Sequence, residues 1–491
     1  MAKRTIIPAV IAIVYCLSCV TAVGQSIDPL IFPKDNFIME TRIVKTSSGE
    51  KKITYHSYMH ILYVAKPVDK DFQSLNVSVP VKIDDVTIDA TNAPIFFSIG
   101  IGGYMSVRNA GNAVPRTGSG GPGATRSLSS RDDLALAAGF VVVTPGCRGR
   151  DNKADDGTFY GKAPAAIVDL KAAVRYLRHN KGILPGNVDQ IISVGCSAGG
   201  AVSALLGTSG NSPLYDSYLK EIGAADANDN IFGSVCYSPI TDLENADGAY
   251  EWMYGTYPTR SGLVDQEISN QLKALFEDYQ LSLKLQGKNG FGFLTADNYE
   301  DYLLQYFLFP SANEYLRKLT EGRRNEYLAR NKWITWTEKG ASFSFPDYVS
   351  HVGRMKNIPA FDDFDKKQPE PVLFGNKNTD SRHFTNFSLQ HSTNVKNSEI
   401  DNELKMLVNM MNANYFVRED NKSCADYWWL RNGSRDNHTS QTVMVNLATG
   451  LENRDKIVNA ALFWDGGHCA DDDPEGMVSW MGKITNYSLN K

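Results

Sequence analysis

The sequence predicts an α/β fold, a mostly parallel sheet with helices on both faces and one large insertion, and three observations predict it. Strand-like and helix-like segments alternate from about residue 90 to Tyr237. Near the centre, the β-branched run Gln190-Ile191-Ile192-Ser193-Val194 drives into Gly195-Cys196-Ser197-Ala198-Gly199-Gly200 and then into an alanine-rich helical stretch. Finally, the alternation disappears between Ser238 and roughly Asn421 and resumes afterwards. At 491 residues the chain is long enough for a large core plus such an insertion.

Each element follows from its pattern. Lys3 and Arg4, the apolar stretch from Ile6 to about Val20, and small residues at Ala22-Val23-Gly24 read as a signal peptide over residues 1–24, with the mature chain starting near Gln25. The apolar run is short for a span of ~20 residues. A secreted or periplasmic protein without stable membrane association is therefore expected. Pro94 to Ile99 and Phe140 to Thr144 read as buried strands, with a short helix around Asp132 to Ala138 between them. In Ala163 to Asn180, Ile167, Leu170, Val174 and Leu177 recur at helical spacing and leave the charged residues to the opposite face. After the central strand come Gly233 to Tyr237, then much later Asp426 to Arg431 and Lys456 to Phe463, and a last helix opened by Asp473-Pro474-Glu475.

A structureless loop of about 180 residues is implausible. The stretch 241–421 is accordingly expected to be an inserted domain, and residues 25–240 with 422–491 the main body. An insertion after the strand near Tyr237 sits above the carboxyl ends of a parallel sheet, where ligands bind, so it reads as a lid. Gly111 to Gly123 reads as a flexible surface loop.

The glycine-flanked serine is a nucleophile elbow: the backbone turns sharply from strand to helix and leaves the Ser197 hydroxyl exposed with helix N-terminal amides behind it. A serine nucleophile needs a base and an acid, which in this chain order follow it as acid, then histidine. The chain has 8 histidines, and His468 follows the strand ending Ala461-Leu462-Phe463 and precedes the final helix. A solvated loop histidine, or a zinc ligand together with Cys469, are the other readings of that position. The acid is expected after the strand at Tyr427 to Arg431, where Asp436 stands, with Asp465 as a rival that lies close to His468 in sequence. A carboxylate there would fix the imidazole tautomer and stabilise the imidazolium. Oxyanion charge needs two amides. These are expected to be Ala198 N–H and the amide of Gly103 or Tyr104, in the glycine-rich turn after the strand at Pro94 to Ile99.

Of 7 cysteines, Cys16 and Cys19 leave with the signal, and the odd remainder means that at least one thiol stays free or pairs outside the chain. Cys196 and Cys469 adjoin the proposed nucleophile and base. If those side chains meet, the two cysteines are close enough for a disulfide; otherwise they are two buried thiols. A net charge of −5 without a long basic run excludes a nucleic-acid surface, and no metal or organic cofactor is required by this chemistry. Asn432-Gly433-Ser434 and Asn437-His438-Thr439 match glycosylation sequons, but a glycan beside Asp436 would obstruct the site, so both are expected to be bare.

Taken together, Gly-Cys-Ser197-Ala-Gly, Asp436 and His468-Cys469 resemble the pattern of the tannase and feruloyl esterase family of α/β-hydrolases. Further family-like stretches stand at Thr144 to Arg150, Ser238 to Leu243 and Asp473 to Gly476, and the length and insertion are more like bacterial tannases than fungal ones. The resemblance implies an α/β-hydrolase fold and hydrolysis of esters between a phenolic acid and a sugar or alcohol. It also implies that Lys356 and Glu370, in the lid segment around Arg354 to Phe374, bind the aromatic ring. The third binder of the tannases is an aspartate, and its position is occupied here by His438.

The expected protein is thus a secreted serine esterase acting on a small phenolic ester, galloyl or hydroxycinnamoyl or hydroxybenzoyl, through Ser197, His468 and Asp436. A general carboxylesterase or serine peptidase of the same fold, or a non-catalytic binding protein, are the alternatives.

Overall fold

The computed structural model describes residues 28–109, 130–393, 395 and 397–489. The signal reading over residues 1–24 and the Gly111 to Gly123 loop lie outside them. Nine strands run side by side: β1 (Ile38–Thr46), β2 (Gly49–Leu62), β3 (Ser74–Ile83), β4 (Pro94–Ser98), β5 (Val141–Pro145), β6 (Asn187–Cys196), β7 (Gly233–Tyr237), β8 (Tyr427–Gly433) and β9 (Ile457–Phe463). Their spatial order is β1-β2-β3-β5-β4-β6-β7-β8-β9, and the short strand Val86–Thr87 pairs with β3. From β5 to β9 every pairing is parallel. β1, β2 and β3 pair antiparallel, and β3 joins β5 antiparallel, a ribbon that the alternation read from residue 90 onward does not include.

Strand side chains alternate between two cores, as the period of two requires. Phe96, Val142, Ile192, Val194, Val235, Tyr237 and Trp429 pack on one face under α1 (Ser130–Ala137) and the last helix, Pro474–Ile484. Their sequence neighbours Ile95, Phe97, Val141, Val143, Ile191, Cys236 and Leu430 pack on the other face. There they meet α2 (Ala165–His179), α3 (Ala198–Thr208) and Gln441–Glu452.

Between β7 and β8 the chain is mainly helical, including α4 (Leu243–Tyr254), α5 (Gln266–Leu283), α6 (Phe345–Val352) and the short α7 (Pro369–Leu373), with two small hairpins. Most of its buried apolar side chains, among them Tyr299, Phe307, Phe361 and Phe374, belong to the same apolar cluster as α2 and α3, and Ala249 and Phe276 form a small cluster with Val443. Among the described residues no helix is long and apolar enough to cross a membrane.

The charged residues that periodicity sets on the opposite face of α2 are not all turned to solvent. Asp169 and Lys171 are fully buried. Asp169 accepts from Arg148 through Nε at 3.0 Å and Nη2 at 2.8 Å, from the Arg148 amide at 2.8 Å and from Gln73 Nε2 at 2.8 Å. Lys171 donates to Asp229 at 2.7 Å and to the Ser209 carbonyl at 2.7 Å, and Arg175 closes on the other Asp229 oxygen at 2.8 Å. A charge removed from water is tolerable only with such full pairing. The helix therefore has no solvent face at those positions but a second set of partners on the loops after β5 and α3.

Asp169→Ala leaves the Arg148 guanidinium buried without its partner and is expected to cost about 3–5 kcal/mol of stability. Asp28→Ala, which removes the half-exposed partner of His179, is expected to cost under about 1 kcal/mol. Denaturant unfolding of both variants checks this, and equal losses would contradict it.

Candidate active site

β6 ends at Cys196, and Ser197 follows at φ 59°, ψ −126°, a left-handed conformation that side chains rarely adopt. The turn fits because a Cβ on Gly195 would lie 2.2 Å from the Gly199 carbonyl oxygen, and one on Gly199 would lie 2.7 Å from that of Ile101. Only glycine allows those approaches. The Ser197 amide donates to the Tyr237 carbonyl at 3.0 Å, which ties the elbow to the end of β7. Ser197 then stands as the N-cap of α3, and the first helix amides, Ala198 N–H among them, have no intrahelical partner.

The Ile101 contact sets the glycine-rich turn after β4 against this elbow. Gly103 and Tyr104 both have positive φ, 54° and 58°. Their carbonyls turn towards Arg150: Gly103 O accepts from Arg150 Nε at 2.7 Å and Tyr104 O from the Arg150 amide at 2.9 Å. In a trans peptide the N–H opposes the C=O of the same unit, so the Tyr104 N–H points away from Arg150. Of the two amides expected from sequence, Tyr104's is thus the one whose direction Arg150 fixes. Arg150 lies in a family-like stretch, and nothing local in the sequence marks it as the residue that orients this turn.

The base and acid come from the loops after β9 and β8. His468 Nδ1 and Asp436 Oδ2 are 2.9 Å apart, and the other Asp436 oxygen accepts from the His438 amide at 3.0 Å. Burial works to raise the Asp436 carboxyl, but the bond and charge of His468 and the His438 amide bring it below the ordinary carboxylate range. The two loops touch backbone to backbone. A Cβ on Gly433 would lie 2.1 Å from the Gly466 oxygen and 2.3 Å from that of Gly467, and the Arg435 amide donates to Gly466 O at 2.9 Å. Ser238, just past β7, donates to Asn432 Oδ1 at 2.9 Å and accepts from the Cys469 amide at 2.9 Å. Cys196 and Cys469 form a disulfide with Cα atoms 5.8 Å apart, so Ser197 and His468 flank one covalent bridge.

The rival readings separate here. Asp465 faces away from His468, accepting from Tyr327 Oη at 2.7 Å and lying 3.3 Å from His351 Nε2. Cys469 is oxidised and is no thiolate ligand. The side-chain ligand atoms of Asp436, His438 and His468 lie within 4.8 Å of one another. However, the two imidazoles are stacked nearly parallel, 3.9 Å between centroids at 8°, so their in-plane lone pairs run side by side instead of meeting at one ion. Asn432, the first sequon, is buried and donates its amide to Gln441, which bars a glycan; the second sequon's Asn437 donates to Gly353 O at 3.0 Å. Cys236 and Cys424 are free thiols, and Cys147 is buried.

The segment after α6 carries the remaining candidates. Arg354 is buried and paired with Glu251 of α4 at 2.6 and 2.8 Å, and its Nε donates to the Lys356 carbonyl at 2.8 Å. Tyr250 Oη accepts from the amides of Met355 and Lys356 and donates to Asn437 O at 3.1 Å, which joins α4, this segment and the acid loop. Lys356 Nζ lies 3.5 Å above the Phe361 ring. Burial pulls the Lys356 ammonium below its ordinary range, against the attraction of Glu370, Asp247 and Asp436. Glu370 on α7 is buried, and burial raises its carboxyl against the pull of Lys356 and Arg150; its Oε2 has no hydrogen-bond partner among the described residues. A polar atom kept out of water and left open is costly. Asp247 and Tyr250 had no signal in the sequence, because their partners are about 100 residues away along the chain.

A family model described as BD-FAE matches residues 133–276. The esterase LipC of Mycobacterium tuberculosis is 33% identical over 102 residues, which span 21% of this chain and 22% of that esterase, so the match covers about a fifth of the curated relative. The tannase of Fusobacterium nucleatum is 37% identical, with a TM-score of 0.80 over 93% of this chain and 99% of its own. A tannin acyl hydrolase solved in complex with ethyl gallate is 32% identical, with a TM-score of 0.80 over 93% of this chain and 99% of its own.

Asp247 tests the electrostatics of this segment. It is buried, accepts from the Phe361 and Asp362 amides, and burial together with the neighbouring Asp362 raises its carboxyl to about 7. A carboxyl raised above its unfolded value contributes stability that is complete below pH 4 and is lost as pH rises to about 7. Asp247→Asn removes the charge and keeps an oxygen acceptor for one of the two amides. It is expected to flatten the fall in stability between pH 4 and 7; an unchanged pH profile would contradict this.

Proposed function

Because the chain belongs to the tannase and feruloyl esterase family of α/β-hydrolases and is a carboxylic ester hydrolase, we propose that it cleaves small esters of phenolic acids through an acyl-enzyme on Ser197. The observation that carries the proposal is the His468–Asp436 bond standing on one side of the Cys196–Cys469 bridge with Ser197 on the other. In this reading Asp436 holds Nδ1–H of His468, so that Nε2 takes the Ser197 proton as Oγ attacks the ester carbonyl. The Ala198 amide and that of Tyr104, or of Gly103 before it, receive the oxyanion of the tetrahedral intermediate. Collapse of the intermediate breaks the C–O bond, and the alcohol leaves with the proton from His468. Water then gives its proton to His468, attacks the acyl-enzyme and releases the aromatic acid with a free Ser197 hydroxyl.

The acyl group is assigned from the segment over the strand ends, residues 241–421, read as the lid. Lys356 and Glu370 form an opposite-charge pair whose burial weakens both charges, an arrangement suited to polarising phenolic oxygens and accepting from phenolic hydroxyls. Ethyl gallate, found with the similar tannin acyl hydrolase, is an ester of that kind. The tannases have a carboxylate where this chain has His438, a difference that supports a site open to galloyl, feruloyl and other hydroxybenzoyl esters alike. The amino-terminal pattern over residues 1–24 and the disulfide support export from the cytoplasm.

Initial rates on methyl gallate, methyl ferulate and a short acetyl ester test the assignment. The expected result is hydrolysis of at least one phenolic ester faster than the acetyl ester, abolished in Ser197→Ala. Lys356→Met and Glu370→Gln are expected to lower kcat/KM on the phenolic esters by about 10–100-fold, the loss of one charged hydrogen bond, and on the acetyl ester by under about threefold. Acetyl-only activity would leave a general esterase.

A further inference from the structure

Asp436 grips His468 at the edge of its ring, and His438 covers one face. The two histidines are held in that relation by one short loop: the His438 amide bonds the Asp436 oxygen that His468 does not use, which sets the His438 ring flat on the base. The charged groups around His438 are His468, Asp436 and Lys356. Burial and the positive charge of His468 push the His438 imidazole down to about 4, so over the working range of an esterase it is an uncharged ring. An uncharged aromatic face attracts a cation placed over it. The cation here is the imidazolium that forms when His468 takes the proton of Ser197.

We infer that His438 is a positioning residue for His468: its stacked ring fixes the plane of the base and stabilises the imidazolium, so its contribution to the reaction runs through His468 and not through a bond to the ester. The inference rests on the Ser197–His468–Asp436 reading. It differs from the role that the family resemblance implies for this position, a contact with the substrate ring. The two roles predict different kinetics. A substrate contact acts on KM for hydroxylated aromatic esters alone, whereas a partner of the base acts on kcat for every ester.

The test uses the full chain with His438→Leu, which removes the ring, and His438→Phe, which restores a flat ring without nitrogens, each assayed on methyl gallate and on a short acetyl ester. His438→Leu is expected to lower kcat by about tenfold on both esters, the size of one favourable ring–cation contact, with KM changed by under about twofold. His438→Phe is expected to recover most of that loss on both. Wild-type kcat in His438→Leu overturns the inference. So does an equal loss in both variants, which would assign the effect to the imidazole nitrogens, and so does a rise in KM confined to methyl gallate. Ser197→Ala run alongside separates the two levels: if it hydrolyses the acetyl ester at the wild-type rate, the triad reading has failed, whatever the His438 variants do.

Discussion

The site depends on a close approach of backbones at the carboxyl ends of β6 to β9. The acid loop meets the histidine loop at Gly433, whose position leaves no room for a Cβ against Gly466 and Gly467. Through that contact Asp436 reaches His468 with a short bond, although 32 residues and a helix separate them in sequence. The elbow is joined to the same assembly twice, by the Ser197 amide on Tyr237 and by the disulfide from Cys196 to Cys469. Ser238 closes the set by bonding both Asn432 and the Cys469 amide. Position is set by packed main chain and by one covalent link, and side-chain flexibility is left little part in it.

Above these strand ends the inserted segment supplies charge under strain of burial. The Arg354–Glu251 pair and the Tyr250 hydroxyl are fully satisfied and fix the course of the chain around Lys356. Lys356, Glu370 and Asp247 are different: each has its charged form weakened by burial, and Glu370 retains an oxygen with no partner among the described residues. Satisfied groups build the wall, and a second set of buried groups carries weakened charge within it. Arg150 belongs to both classes, since it orients the turn at Gly103 and Tyr104 and lends positive charge to Glu370.

Sequence reading reached the parallel half of the sheet, and it named Ser197, Asp436 and His468 as the candidate triad, because both depend on local signals in chain order: buried β-branched runs, glycines around one serine, and a histidine between the last strand and the last helix. The antiparallel ribbon before residue 90 escaped because β2 has irregular register at Thr54/Tyr55 and between Tyr58 and Ile61, which breaks the period-two pattern that marks a strand. The burial of the α2 charges has a related cause. Helical periodicity sorts apolar from charged, but it cannot see that Arg148 and Asp229, from distant loops, bring Asp169 and Lys171 inside. Arg150, Asp247 and Tyr250 were invisible for the same cause, since each acts through partners that only the fold brings near.

The reactivity proposed for Ser197 depends on His468 acting as its base. The most direct test is the rate at which a fluorophosphonate labels the protein, with the labelled residue found by peptide mapping, in the wild type and in His468→Ala. The account predicts label on Ser197 alone and a fall in labelling rate of at least about 100-fold without His468. Label on another residue, or undiminished labelling of Ser197 in His468→Ala, would contradict it.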